Sequence, residues 1–201
     1  MSSPPILQST VHQDERYMRI AYSFACEPSN GPFAGILVDL NSQQILGRQS
    51  ALTDDTVDAH AIVELIRDHI CSDNKRPQRR LTLYTTAEPC PICQSAIIWA
   101  GIGRVVYGVG NSTLKRFGWN RIGISAAEIV QRAPFANCSV VGGVLSAEIE
   151  PIFRNTNMPR IHARPQHLNQ TLGADPFPPS LAPRVPASEL APVRKTFSSS
   201  D

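Results

Sequence analysis

The chain has 201 residues, of which 42% are hydrophobic, which is enough for one globular domain with its own core. Its formal net charge of +2 is too small to point to nucleic acid or an acidic surface as a partner. Five scattered cysteines exclude a disulfide framework, and the chain shows neither a signal-peptide pattern nor an apolar run of membrane-spanning length. We therefore expect a cytoplasmic protein with no membrane partner.

The first half of the chain predicts a helix, a strand hairpin and a second helix. Apolar residues recur at helical spacing from Asp14 to Cys26. Phe33–Leu40 is an apolar, β-branched run that predicts a strand, and Gln44–Arg48 returns as its hairpin partner. The second helix is predicted from Ala59 to Ile70, and its cap candidates are Asp54, Asp55 and Thr56.

The second half alternates short strands with helices. Strands are predicted at Leu81–Thr85, Arg104–Val109 and Ser139–Val141. Helices are predicted from Pro91 to Gly101, from Ser125 to the residue before Pro134, and over Ser146–Arg154. This alternation predicts an α/β fold with a central sheet between helices on both faces.

The chain divides by composition into three parts. Residues 1–13 are predicted to be an N-terminal extension, and residues 14–157 the folded domain. Eight of the 17 prolines lie in residues 158–201, among Ser, Ala, Asn and Gln. Because this stretch has few large apolar residues, we predict a flexible, Pro-rich C-terminal tail.

The pattern Pro89-Cys90-Pro91-Ile92-Cys93 follows a predicted strand and lies thirty residues after His60. Two thiolates and one imidazole make a three-ligand zinc set with an open fourth position, as in catalytic sites. Both Cys90 and Cys93 fall in the first turn of a helix, whose positive end favours thiolates. A redox dithiol and unligated cysteines are the alternatives, and the prolines on both sides of Cys90 argue against the first.

On these residues, together with Thr86-Ala87-Glu88 and Ala59-His60-Ala61, the chain resembles the cytidine-deaminase-like superfamily. It looks most like the branch of guanine, cytosine and tRNA adenosine deaminases. The resemblance implies a three-layer α/β/α sandwich with a central five-stranded mixed sheet. It also implies Zn²⁺ held by His60, Cys90 and Cys93, and zinc-activated water that displaces an amino group from a ring carbon.

The chain departs from the family at the residue that moves protons. The family carries a Glu two residues after the His, and here that residue is Ile62. Glu64 and Asp58 are the candidate substitutes. The family also carries an Asn after the second strand, where this chain has Gln49 or Ser50. The candidate substrate-binding residues are Gln49, Ser50, Ala61, Glu88 and Trp119.

Three functions stay open at this point. The first is hydrolytic deamination of a nucleobase, nucleoside or related heterocycle with an unusual proton shuttle. The second is a catalytically inactive partner or binding protein that keeps structural zinc, and the third is a zinc enzyme of altered reaction type. The resemblance implies a homodimer, or a heterodimer with an active deaminase subunit. Its implied ligand is a small base or nucleoside; nucleic acid is not indicated by the charge but is left open by the basic tail.

Overall fold

A computed structural model describes residues 11–52, 60–69 and 78–155, and they form one mixed sheet with helices around it. The strands are β1 (Phe33–Asp39), β2 (Gln44–Ala51), β3 (Leu81–Ala87), β4 (Arg104–Val109) and β5 (Ser139–Gly142). Their order across the sheet is β2-β1-β3-β4-β5. β1 is antiparallel to both of its neighbours, whereas β3, β4 and β5 are parallel.

Six helices accompany these strands in the described ranges. They are α1 (Val11–Ala25), α2 (Ala61–His69), α3 (Pro91–Trp99), α4 (Asn111–Arg116), α5 (Ala126–Gln131) and α6 (Ser146–Asn155). A short 3₁₀ turn, Gln78–Arg80, precedes β3. None of the described helices is long and apolar enough to cross a membrane.

The sheet carries one apolar cluster on each face. On one face α1 and α6 pack over Ile36, Val38, Tyr84 and Val106. On the other face α2 and α3 pack over Leu37, Leu83 and Val105. Successive strand residues point to opposite faces, so both faces of β1, β3 and β4 are apolar, as expected for a sheet covered on both sides. The predicted three-layer sandwich with a five-stranded mixed sheet is therefore confirmed.

A buried ion pair fixes α1 to the sheet. Nη1 and Nη2 of Arg104 in β4 donate to the two oxygens of the Asp14 carboxylate, each at 2.7 Å, and Tyr84 Oη donates to it at 2.9 Å. The side chains of Arg104 and Asp14 are 12% and 7% exposed. Hydrogen bonding and charge attraction from Asp14 raise the pKa of Arg104.

Several boundaries differ from the predictions. α1 begins at Val11, three residues before the predicted Asp14, and β2 continues to Ala51 rather than ending at Arg48. α6 runs through Pro151, which sits inside the helix. α4 was not predicted, because its six residues are too few to show a helical apolar period. The predicted ends of α2 at Ala59 and Ile70, its cap candidates and the tail lie outside the described residues.

Candidate metal centre

The three predicted metal ligands meet where two helices begin. His60 directly precedes α2, and its carbonyl accepts hydrogen bonds from the amides of Val63 and Glu64. Cys90 is the N-cap residue of α3, and Cys93 lies in the first turn of that helix. All three side chains are buried, each at most 8% exposed. The positive ends of two helices therefore face one small volume that holds two sulfurs and one imidazole.

The spacing of these atoms fits a tetrahedral ion. His60 Nδ1 lies 3.4 Å from the Sγ atoms of both Cys90 and Cys93. Zn–S and Zn–N bonds of ~2.3 and ~2.1 Å at the tetrahedral angle place the two donors about 3.6 Å apart. The three donor atoms lie within 4.8 Å of one another. Both the donor set and its geometry therefore suit Zn²⁺ with one position left open.

The site favours thiolate on its own. The pKa of Cys90 is lowered to about 4, chiefly by a hydrogen bond from Cys93, with a smaller contribution from His60 and with burial acting in the opposite direction. Zinc binds thiolate rather than thiol. Cys138 shows the contrast, since burial raises the pKa of its thiol to about 11. The structure therefore distinguishes the ligand Cys90, whose thiol pKa is lowered, from Cys138, whose thiol pKa is raised.

A pocket opens beside the metal ligands. In addition to the three ligands it is lined by Phe33, Ala61, Ile62, Thr85, Ala87, Glu88, Pro89 and Arg121. The closed part of this pocket measures about 20 Å³, room for about one water molecule. With the space that is open to solvent included, the pocket holds about 290 Å³. A ring-sized ligand therefore fits only in the part of the pocket that opens to solvent.

Ile62 forms an apolar wall of this pocket. It is 6% exposed and belongs to the cluster formed by α2, α3 and the sheet. Its Cδ1 approaches the backbone of β1 at Gly35 so closely that a Cβ added to Gly35 would overlap it. Ile62 has no group that accepts or donates a proton. On the side of Ile62, this pocket therefore presents hydrocarbon.

Glu88 provides a carboxylate at the pocket wall, but its oxygens are used by the backbone. Oε2 accepts a hydrogen bond from the Asn111 amide at 2.7 Å, and Oε1 accepts one from the Ala126 amide at 2.9 Å. These amides lie at the starts of α4 and α5. Glu88 is 6% exposed, and its own amide donates to the Val109 carbonyl. Glu88 therefore fixes two helix starts to the end of β3.

Five wall residues were not among the predicted site residues, and two of these, Phe33 and Arg121, lie far from the metal-binding motif in the sequence. Phe33 begins β1, and its ring meets Trp119 edge to face with the centroids 4.8 Å apart. Arg121 lies in the segment between α4 and α5, where Nε donates to Asn111 Oδ1 at 2.7 Å and Nη2 donates to the Glu88 carbonyl at 2.6 Å. No local motif marks either residue, because only the folded chain brings them to the metal. The one available signal was the proximity of Arg121 to the predicted helix start at Ser125.

Of the five predicted substrate-binding residues, two line the pocket and three do not. Ala61 and Glu88 line it. Trp119 packs behind Phe33 and donates to the Phe153 carbonyl at 3.0 Å, so its ring supports the wall and does not line the pocket. Gln49 and Ser50 are on β2 outside the lining, and Gln49 contacts Asp68 on α2.

Of the two candidate proton-carrying carboxylates, Glu64 lies within the described residues and Asp58 does not. Glu64 follows Ile62 by two residues on α2, a rotation of about 200° at 3.6 residues per turn. It is half-buried and lies outside the pocket lining. Asp58 is outside the described residues.

Comparison with known proteins agrees with this site. The family model described as the cytidine and deoxycytidylate deaminase zinc-binding region matches residues 11–109. A probable cytosine deaminase of Schizosaccharomyces pombe is 32% identical over 105 residues, which is 51% of this chain and 64% of the relative. A guanine deaminase of Bacillus subtilis is 30% identical over 110 residues, 53% of this chain and 70% of the relative. The matched region thus spans just under two thirds of the cytosine deaminase.

The fold comparison reaches the same group of proteins. The solved guanine deaminase from Nitrosomonas europaea superposes with a TM-score of 0.58 at 18% identity, covering 76% of this chain and 87% of that chain. At this identity the match shows a shared fold. The fold, the buried His-Cys-Cys set and the sequence matches together lead to one assignment. This chain belongs to the cytidine and deoxycytidylate deaminase family of zinc-binding proteins.

Proposed function

We propose that this chain holds zinc with His60, Cys90 and Cys93, binds a small heterocycle in the adjoining pocket, and does not deaminate it on its own. Zinc, when bound there, supplies a Lewis acid that activates water. The chain's own contribution is to fix the ion between two helix starts and to shape a pocket beside it that opens to solvent. The heterocyclic ligand is inferred from the relatives, which are named as cytosine and guanine deaminases.

The observation that carries this proposal is the apolar Ile62 wall. Hydrolytic deamination moves protons from water to the ring and then to the leaving amine, so the site needs a group that both accepts and donates. Among the described lining residues the only side-chain carboxylate is that of Glu88, and both of its oxygens accept backbone amide hydrogen bonds. Losing a positioned acid/base lowers a rate by roughly 10²–10⁴-fold. A bound ring would therefore persist unchanged.

A protein partner follows from the surface of α3. This helix is apolar on nearly all sides, and such helices are normally buried. Yet Ile92 and Trp99, seven residues apart on one face of α3, are 42% and 78% exposed. We propose that a second copy of the chain covers this face, with an active deaminase subunit as the alternative occupant. Light scattering of the purified wild-type chain distinguishes the two, because a purified chain can form only the homodimer. If a second copy covers this face, the wild type is a dimer and Trp99→Ser is a monomer.

The experiment that tests the proposed function combines metal analysis with ammonia release. Purified protein is loaded with zinc, and its metal content is measured beside that of Cys90→Ala. Guanine, cytosine and adenosine are then offered at millimolar concentration. We expect one zinc per chain for the wild type, loss of zinc in the variant, and ammonia release no faster than without protein. Zinc-dependent turnover by the wild-type chain would refute the proposal.

The second candidate function is hydrolytic deamination with a replacement base, favoured by the retention of all three ligands in a relative of deaminases. Asp58 and Glu64 are the residues to test. If the wild type releases ammonia, replacing the responsible carboxylate with its amide should abolish turnover and leave the zinc content unchanged. Conversion of the ring without ammonia release would instead indicate the altered reaction type. If both amide variants release ammonia at the wild-type rate, neither Asp58 nor Glu64 is the base.

A further inference from the structure

Ile62 borders the space beside the three metal ligands. It lines the same pocket as His60, Cys90 and Cys93, and it is the largest aliphatic residue among the described residues of that lining. The closed part of the pocket, about 20 Å³, has room for about one water molecule. Only the outer part, which opens to solvent, brings the volume to about 290 Å³. A ligand wider than water therefore fits the outer part and not the closed part.

The Ile62 side chain is held in place by its surroundings. It belongs to one apolar cluster with Leu37, Leu65 and both ligand cysteines. Its Cδ1 fills the space at Gly35 that a Cβ would otherwise occupy, and Gly35 is paired with Thr85, another residue of the pocket lining. A β-branched residue in a helix also has one strongly preferred χ1 rotamer. Because protein interiors are close-packed, a ligand can displace this side chain only by disturbing its neighbours.

We propose that Ile62 is a size filter at the metal, so that the open coordination position accepts water and small linear anions and excludes ring nitrogens. A ring that binds a metal through one nitrogen has a ring atom on each side of that nitrogen, and these atoms need more width than one water molecule. A linear anion such as azide needs only the width of one atom. This inference rests on the proposed function, because it needs a metal ion held by His60, Cys90 and Cys93. It adds that a heterocycle lies in the outer part of the pocket, without a bond to the metal.

The test measures ligand binding to the metal by visible absorption. Full-length protein is loaded with Co²⁺, which binds the same kind of site as Zn²⁺ and whose absorption changes when a ligand is added. It is then titrated with azide and, separately, with imidazole. Ile62→Ala removes three carbon atoms from the wall. Because forcing atoms into a close-packed site corresponds to roughly tenfold to hundredfold in affinity, we expect imidazole to bind this variant at least about tenfold more tightly than the wild type. Azide should bind both proteins with affinities that differ by less than about threefold.

A neighbouring isoleucine of α2 provides the matched control. Ile66 is 7% exposed, against 6% for Ile62, and belongs to the same apolar cluster, but it does not line the pocket. Ile66→Ala should therefore lose similar stability in urea unfolding and leave both affinities unchanged. Ile62→Val, which removes only Cδ1, should bind imidazole with an affinity between those of the wild type and Ile62→Ala. If Ile62→Ala does not fold, Ile62→Val and the wild-type comparison of azide with imidazole still decide the question.

The contrary outcomes separate this inference from the proposed function. If imidazole binds the wild type as tightly as Ile62→Ala, or if Ile66→Ala gains imidazole affinity to the same extent, Ile62 is not the filter and metal binding by the chain still stands. If azide leaves the absorption of the cobalt-loaded wild type unchanged, the open position takes no small anion and the inference is wrong. If the chain binds neither Co²⁺ nor Zn²⁺, both the inference and the proposed function are wrong.

Discussion

Replacing Ile62 with Glu should give the pocket the proton carrier that it lacks. The new side chain would start from the same buried position on α2, directly beside the ligand His60. A positioned general acid/base is worth roughly 10²–10⁴-fold in rate, or about 3–5 kcal/mol of barrier. We therefore expect ammonia release by Ile62→Glu to exceed that of the wild type by at least about a hundredfold on one of the tested rings.

The same change should cost stability. Ile62 is 6% exposed, so removing it from its apolar cluster loses about 1.5–3 kcal/mol. A buried carboxylate adds a desolvation cost, which a bound zinc ion nearby offsets. Stability is accordingly measured by urea unfolding in the presence of zinc. Ile62→Gln is the matched control, because it has the same length and polarity but cannot carry the proton.

The comparison of the two variants decides the argument. Both should bind one zinc ion and lose similar stability, and only Ile62→Glu should release ammonia. If both variants are folded, hold zinc and are equally silent, the missing carboxylate is not what limits this pocket. If the wild type already matches Ile62→Glu, another residue moves the proton and the reasoning about the Ile62 wall fails.

Three further predictions concern metal binding and the stability of the fold. Removing metal with a chelator should lower the melting temperature by several degrees. Adding Zn²⁺ but not Mg²⁺ should restore it, because thiolate ligands disfavour magnesium. Equal recovery of the melting temperature with both ions would contradict a Cys-based site. Arg104→Met removes the charged partner of the buried Asp14 carboxylate and should cost about 3–5 kcal/mol in urea unfolding, whereas Arg19→Met, which removes an exposed ion-pair residue, should leave the stability nearly unchanged. Similar costs for the two variants would refute the special role of the buried pair. Gly35→Ala should lower the free energy of unfolding by about 1–3 kcal/mol, because the added Cβ overlaps Cδ1 of Ile62. In an Ile62→Val background, which lacks Cδ1, most of that loss should be recovered in a double-mutant cycle. Additive effects of the two substitutions would show that the overlap is not the cause.

The parts of the structure that could be predicted are those that local patterns encode. The strands read as short β-branched runs, and the cap at Ser125 is found where expected, with its hydroxyl accepting from the Glu128 amide at 3.1 Å. The zinc set was predictable because Cys90 and Cys93 share one helical turn and because their thiols need a third donor. For the two cysteines, chemistry and spacing agree over a few residues, whereas His60 lies thirty positions away and reaches them only in the folded chain.

The pocket walls could not be predicted, because they come together only through the sheet. Phe33 and Arg121 are 88 positions apart, yet both face the ligands. The sequence also did not reveal that the Glu88 carboxylate accepts hydrogen bonds from two backbone amides. A carboxylate beside Pro89-Cys90 is compatible with several roles until its hydrogen-bond partners are known. The isoleucine at position 62 was visible in the sequence, but its packing against Gly35 was not.

The way in which Glu88 is bonded has a consequence for how this pocket can change over evolution. The wall that carries Arg121 is tied to β3, α4 and α5 through Glu88, whereas Ile62 belongs to α2 on the other side of the metal ligands. The group that performs chemistry and the frame that holds the ligand are therefore built from separate segments. A lineage could lose the first by a single codon change and keep the second intact. Such a protein would retain a ready-made receptor for small rings, available for sensing or storage once selection for turnover has ceased.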